Sequence, residues 1–300
     1  MRRALILSGG GCKGAFEVGA IDYLINSAKL DYQIFIGSSV GALNAAILGL
    51  AGNYQELVTA VQKLKQLWEE IRGNRSIYQP FPLGILDLFK RNGLFDPAGL
   101  RQLIHSYIDP HQLCHNPAKF VLIPTVSIET GELFYADSRN PDYESVFLKY
   151  ILASASVPFF FPPVTIGDKH WYDGCLRDVT PLSAAFKEQP DEITVVLTFP
   201  VNDDLEPVLS TISYGGVLKS LLRIVSIMTN EISTNDLQIS KYINQRPHFF
   251  LGRKRVPIKI IAPKTHLQGT LLDFSPQKIR ENIRLGYEAA QEYKTLIVNN

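Results

Sequence analysis

Ile34-Phe35-Ile36-Gly37-Ser38-Ser39-Val40-Gly41-Ala42-Leu43-Asn44 reads as a buried strand, a sharp turn and the opening of a helix. The turn fits G-x-S-x-G with Ser39 in the serine slot, a pattern in which a strained strand-to-helix corner holds a hydroxyl out from a sheet edge. Gly37 and Gly41 suit such a corner, because neighbouring segments approach it too closely for a β-carbon. The small-residue helix that follows, Gly41 to Leu50, would direct free amides and its positive dipole end toward an anion forming at the serine oxygen.

Before this stretch, Ala4-Leu5-Ile6-Leu7 is a continuous apolar run of the kind expected for a parallel strand covered on both faces. Ser8 to Gly14 is a glycine loop, and Ala15 to Leu24 has helical character. The first fifty residues therefore predict β-loop-α-β-turn-α, the start of a right-handed, mostly parallel α/β sheet. After it, Leu57, Val61, Leu64 and Trp68 give an amphipathic helix over Tyr54 to Ile71, and Asp96-Pro97 is expected to cap a helix from Ala98 to Ile108. Phe120 to Ile123 and Leu133 to Tyr135 flank Glu129-Thr130-Gly131-Glu132 and predict a hairpin extending the sheet. Further expectations are a helix over Tyr150 to Ser156, a strand ending in the turn Asp173-Gly174, and buried strands at Ile193 to Phe199 and Pro257 to Ala262. Thr211 to Asn244 is expected to be mostly helical, and a last helix runs from Ser275-Pro276 to Tyr293. Gly73 to Asn92 is apolar and broken by Pro80, Pro82 and Gly84, which suits either a packed connection or a lid over a lipid site. Repeats, low-complexity tracts and linkers are lacking, so a single domain over residues 1–300 is expected.

Thirty basic residues against 29 acidic ones leave a formal charge of +1, so no global field points to nucleic acid as a partner, while a membrane surface stays open. Hydrophobic residues make up 46% of the chain, enough for a large core. Cys12, Cys114 and Cys175 form no disulfide framework and suit a reducing compartment, which makes the cytoplasm the expected location, with possible peripheral contact with membranes. The apolar run after Met1-Arg2-Arg3 is too short for a signal peptide, and Pro158, Pro162 and Pro163 break the longest low-charge run, so no transmembrane segment is expected.

Gly9-Gly10-Gly11-Cys12-Lys13-Gly14 satisfies G-x-G-x-x-G, yet the next strand ends in Gly37-Ser38-Ser39 with no acidic residue to hold a ribose. Ala15 also stands where a Walker A loop needs lysine. Nucleotide binding is thus the weaker reading. The stronger one is that Gly10 and Gly11 lend amides to the negative oxygen of a tetrahedral intermediate, beside the Ser39 turn on the same sheet edge, with Lys13 adding positive potential. A base for the serine is sought among His105, His111, His115, His170, His248 and His266, none in a recognisable setting; by chain order His248 or His266 would serve. Asp173 is the alternative: it follows Trp171-Tyr172, and partial burial would raise its pKa toward a useful range.

The glycine loop Gly9 to Gly14, the turn Gly37-Ser38-Ser39-Val40-Gly41 and the pair Asp173-Gly174, in this order, resemble the three signature blocks of the patatin-like phospholipases. Ala153-Ser154-Ala155-Ser156-Val157-Pro158 and Gly93-Leu94-Phe95-Asp96 add to the likeness, which runs from Ala4 to about Pro181. The resemblance implies a patatin-like three-layer α/β/α sandwich and a hydrolase of fatty acyl esters of phospholipids or related lipids, needing no metal or other cofactor. It implies Ser39 as nucleophile, Asp173 as base, the Gly9 to Gly14 loop as oxyanion hole and a lipid as substrate, without nucleotide or nucleic acid. Cys175 departs from the small residue usual after Asp-Gly and puts the accepted acyl group in doubt. A non-catalytic lipid-binding or scaffold protein, or a transacylase, is the alternative.

Overall fold

Strand β1 (Arg3–Leu7) pairs in parallel with β2 (Ile34–Gly37), in register Ala4 to Ile34 through Leu7 to Gly37, with helix α1 (Gly14–Asp22) as their crossover. The computed structural model describes residues 1–82, 90–202, 204–208, 216–245, 255–292 and 294–296. Helix α2 (Val40–Gly49) follows β2 directly, and α3 (Tyr54–Glu70) begins at Asn53, whose side chain accepts the Glu56 backbone N–H. Leu57, Val61, Leu64 and Trp68 are all buried, as the spacing predicts.

A short antiparallel pair, β3 (Gln79–Pro80) with β4 (Phe95–Asp96), stands apart from the main sheet. The main sheet continues with β5 (Phe120–Ser127), β6 (Leu133–Asp137), β7 (Val164–Ile166), β8 (Lys169–Asp173), β9 (Glu192–Val196), β10 (Ile258–Ile261) and β11 (Lys294–Leu296). Its order is β11-β10-β9-β1-β2-β5-β8-β7, with β6 also on β5. The five strands β10, β9, β1, β2 and β5 are parallel, and the additions at either side are antiparallel.

Alternate residues of the central strands feed two cores. Leu5, Leu7 and Phe35 pack with α1, α2 and α3 on one face, while Ala4, Ile6, Ile34 and Ile36 pack on the other with the helix Leu182–Lys187 and with Leu237 of the helix Val217–Gln245. The molecule is thus a three-layer α/β/α sandwich about a mostly parallel sheet. Burial on both faces explains why these strands read as unbroken apolar runs.

The hairpin is present as β5 and β6, and the other expected helices lie at Ala98–Tyr107, Phe147–Ser154 and Pro276–Gln291. Asp96 does not cap the helix after it. The N-cap is Pro97 with no side-chain bond, because Asp96 belongs to β4 and pairs there with Gln79. Of the expected lid segment, residues 83–89 lie outside the described residues, as do 211–215 of the expected long helix.

Candidate active site

Two junctions bring the predicted residues together. Since β1 and β2 are parallel neighbours, the glycine loop after one and the serine turn after the other leave the sheet at the same edge. The second junction is β5. Strand β6 holds one side of β5 over Leu122 to Val126, so β2, paired at Leu122, and β8, paired at Thr125, share the other side. Strand β8 runs antiparallel to β5 and therefore ends, at Asp173, facing the end of β2 from which Ser39 emerges.

Ser39 has φ 56° and ψ −130°, a conformation costly for a residue with a β-carbon and kept only where the surroundings enforce it. The constraint is visible on both sides: a β-carbon at Gly37 would lie 2.0 Å from the Gly41 carbonyl oxygen, and the Ser39 N–H is held by Ser154 Oγ at 3.1 Å. Ser154 is the last residue of the helix Phe147–Ser154, so that helix fixes the serine turn from outside the sheet.

In the glycine loop, Gly9, Gly10 and Gly11 have φ of 73°, 128° and 59°. Four of the six predicted loop amides already have acceptors: Gly9 N–H goes to Glu17 Oε1 at 2.7 Å, Cys12 N–H to the Leu271 carbonyl, Lys13 N–H to that of Gly10, and Gly14 N–H to that of Gly11. Among the described residues no acceptor meets the N–H of Gly10 or of Gly11, and both residues line the cavity that contains Ser39. Lys13 also lines it, and burial pulls its pKa down. The Cys12 thiol instead turns to the Thr270 carbonyl at 3.1 Å and, buried, is pushed up to about 12.

Behind the loop lies a buried polar chain. Glu17 Oε2 accepts from Asn44 Nδ2 at 2.8 Å, and Asn44 Oδ1 accepts from Trp68 Nε1 at 3.0 Å, tying α1, α2 and α3 to the loop. Burial pushes the Glu17 carboxyl up to about 8 against the opposing pull of Asn44 and the Gly9 N–H. Thr198 Oγ1 donates to the Gly9 carbonyl from beyond β9. Glu17, Asn44, Ser154 and Thr198 are given no role at the site by the sequence reading. Only Glu17 carries a signal there, a lone carboxyl inside the otherwise apolar helix Gly14-Ala15-Phe16-Glu17-Val18-Gly19-Ala20-Ile21.

Asp173 is fully buried, its N–H bonded to the Ser156 carbonyl and its Oδ1 accepting the Cys175 N–H at 2.8 Å. Burial raises its pKa to about 6, with the Cys175 N–H and the Ser39 side chain pulling the other way. The Ser39 side chain is thus among the groups that favour the ionised carboxyl, while Asp173 Oδ2 has no hydrogen-bond partner among the described residues. Gly174 has no room for a side chain, since a β-carbon there would lie 2.4 Å from the Pro124 carbonyl oxygen.

Ser39, Asp173, Gly10 and Gly11 line one cavity of about 180 Å³ whose wall is mostly apolar, including Leu43, Trp68, Phe161 and Leu221, with Lys13, Thr198 and Asn230 among its polar members. Cys175 is part of this wall, with its thiol 3.3 Å from Ser38 Oγ. None of the five described histidines lines the cavity. His111 and His115 pair with Glu144 at the surface, His170 pairs with Glu129, His105 is exposed, and His266 sits in the loop before the last helix; His248 lies outside the described residues.

Comparison with known proteins gives a consistent picture. A family model described as patatin-like phospholipase matches residues 5–186. The Escherichia coli K12 protein YjjU, itself uncharacterized, is 23% identical over 298 residues, covering 95% of this chain and 75% of that protein. A cGAMP-activated phospholipase of Vibrio cholerae is 26% identical over 183 residues, 54% of this chain and 49% of that protein. Among solved structures, VipD from Legionella pneumophila overlaps 98% of this chain and 68% of its own with a TM-score of 0.44 at 12% identity. The type III effector ExoU overlaps 97% and 54% with a TM-score of 0.34 at 13% identity.

Proposed function

Because this chain belongs to the patatin-like phospholipase family, we propose that it hydrolyses fatty acyl esters of phospholipids or related lipids through a Ser39–Asp173 dyad. The observation that carries this reading is that a strained serine, a buried carboxyl whose pKa is raised to about 6 and two uncommitted amides line one cavity. A carboxyl near that value is ionised at neutral pH and is still basic enough to take a proton from a hydroxyl under attack.

In the proposed reaction Asp173 accepts the Ser39 proton as Ser39 Oγ bonds to the ester carbonyl carbon. The carbonyl oxygen takes up the negative charge and accepts from the N–H groups of Gly10 and Gly11, an arrangement worth about 3 to 4 kcal/mol per donor. Collapse of the tetrahedral species breaks the bond to the lipid alcohol, which leaves with the proton held by Asp173. Water, deprotonated by the same carboxylate, then attacks the acyl-serine and releases the fatty acid. Glu17 holds the loop by fixing the Gly9 amide, and Ser154 holds the corner by accepting the Ser39 amide. The apolar wall suits an acyl chain, and the phospholipase activity of the Vibrio cholerae relative supports the same substrate class. The proposed setting is a single domain in the cytoplasm, meeting lipid at a membrane surface; no described helix is long and apolar enough to cross a membrane.

A serine-directed fluorophosphonate probe followed by mass mapping tests the nucleophile. The expected adduct is on Ser39, absent from Ser39→Ala and suppressed in Asp173→Asn. An adduct on another serine, or undiminished lipid hydrolysis by Asp173→Asn, refutes the dyad.

A further inference from the structure

The helix Val217–Gln245 leaves an apolar side uncovered. Its protein-facing side buries Ser233, Thr234, Ser240 and Asn244 together with Leu237, and Leu221, Leu222 and Val225 pack partly buried against the core, whereas Val217, Ile224, Ile227 and Ile239 are each more than half exposed, with Leu218 and Met228 close to that. Val217, Leu221, Ile224 and Met228 follow at steps of four, three and four, which sets them in one stripe along the helix. Leu221, Ile224 and Met228 of this stripe also form part of the wall of the Ser39 cavity. Across that wall, Phe159 is 53% exposed and has φ 70°, a strained backbone holding an aromatic ring toward solvent. Exposed apolar side chains gathered at the mouth of a cavity mark an interaction site.

We propose that this rim, formed by the exposed stripe of the helix Val217–Gln245 and by Phe159, is the surface on which the protein docks to an anionic phospholipid bilayer. The proposal rests on the lipid-ester reading of the cavity and adds to it where and how substrate is met. Three observations select a bilayer as the occupant. The rim and the cavity share residues, so a lipid leaving the bilayer reaches Ser39 without crossing water. The cavity of about 180 Å³ is smaller than the roughly 300 to 1,000 Å³ of sites that engulf a small ligand, so it holds only part of a phospholipid and leaves the rest in its aggregate. Finally, residues 217–230 carry Lys219 and Arg223 and no acid, the charge pattern of an interfacial helix that meets anionic head groups.

The test uses the full chain and Val217→Asp/Ile239→Asp, two exposed positions on the side of the stripe that do not line the cavity. Flotation is measured with vesicles of phosphatidylcholine alone and of phosphatidylcholine mixed with phosphatidylglycerol. Hydrolysis of a water-soluble short-chain ester and the thermal midpoint are measured in parallel. The wild type is expected to float with the mixed vesicles more than with the neutral ones. The double variant should lose on the order of 100-fold in partitioning, since burial of each such side chain contributes about tenfold or more. Its soluble-ester hydrolysis and thermal midpoint should be unchanged. Equal flotation of the two proteins overturns the docking surface, and so does a wild type that cleaves the soluble ester but never floats. A concentration-dependent dimer in sedimentation, abolished by the double variant, also overturns it in favour of a second copy as occupant. Flotation that depends on the rim in a protein without esterase activity keeps the docking surface and refutes the catalytic reading instead.

Discussion

Replacing Asp173 by asparagine should abolish hydrolysis and at the same time stabilise the fold. Burial raises the carboxyl from 3.8 to about 6, and at about 1.4 kcal/mol per pH unit this is about 3 kcal/mol of instability when the group is ionised. The folded chain holds the proton more tightly than the unfolded chain. The contribution of Asp173 to stability is therefore fully present below about pH 4, and is lost as pH rises through about 6. Asparagine escapes this loss because it never ionises, and its Oδ1 can still accept the Cys175 N–H that Oδ1 of Asp173 holds at 2.8 Å. Thermal unfolding of wild type and Asp173→Asn at pH 8 and at pH 4 is the assay. The variant should melt on the order of 5 °C higher at pH 8, with the gap closing toward pH 4. A variant that melts lower at pH 8, or a gap of the same size at both pH values, would refute the argument that desolvation of this carboxyl raises its pKa.

Two further expectations concern the same residues and their support. On a soluble ester, kcat/KM should fall about tenfold per pH unit below about 6, as Asp173 takes up its proton, and a profile still flat at pH 5 would exclude Asp173 as the base. Glu17→Ala strands the buried Gly9 N–H, at about 1 to 3 kcal/mol, and leaves Asn44 Nδ2 with only its 3.3 Å bond to the Gly14 carbonyl, a loss that a urea midpoint will register. The same variant should lower kcat more than it raises KM, because the loop next to the Gly10 and Gly11 amides loses its anchor.

The parallel core was legible because its strands are covered on both sides. Ala4 to Leu7 and Ile34 to Ile36 present apolar residues to two cores at once and so leave unbroken runs in the sequence, and Ile193 to Val196 does the same but for Thr194, which bonds Tyr32. Helix α3 was legible for the complementary reason that only one of its faces is buried. What local pattern missed was non-local. Asp96 has the residue type of a helix cap, but pairing with Gln79 draws it into a strand. The approach of Asp173 to Ser39 depends on β2 and β8 following one another along the same side of β5, a fact of register that no window of residues contains. Motif order proposed a pairing that spacing alone left open; of the two histidine alternatives, His266 does not line the cavity and His248 lies outside the described residues.

Periodicity reveals the repeat of a helix but not which side of it faces inward, and the helix Val217–Gln245 shows what that omission conceals. Its apolar residues recur at helical spacing, so the ordinary rule turns Val217, Ile224 and Met228 to the core. In the fold these three are exposed, while Ser233, Thr234, Ser240 and Asn244 are buried beside Leu237. Glu17 inverts the rule in the opposite sense, a carboxyl seated inside an apolar helix where Gly9 and Asn44 require an acceptor. Both exceptions adjoin the cavity of Ser39 and Asp173. Places where a sequence breaks its own pattern without a structural return are expected at working surfaces. The acid that supports the glycine loop is detectable in the sequence as such a break, whereas the exposed apolar side of the helix emerges only from the fold.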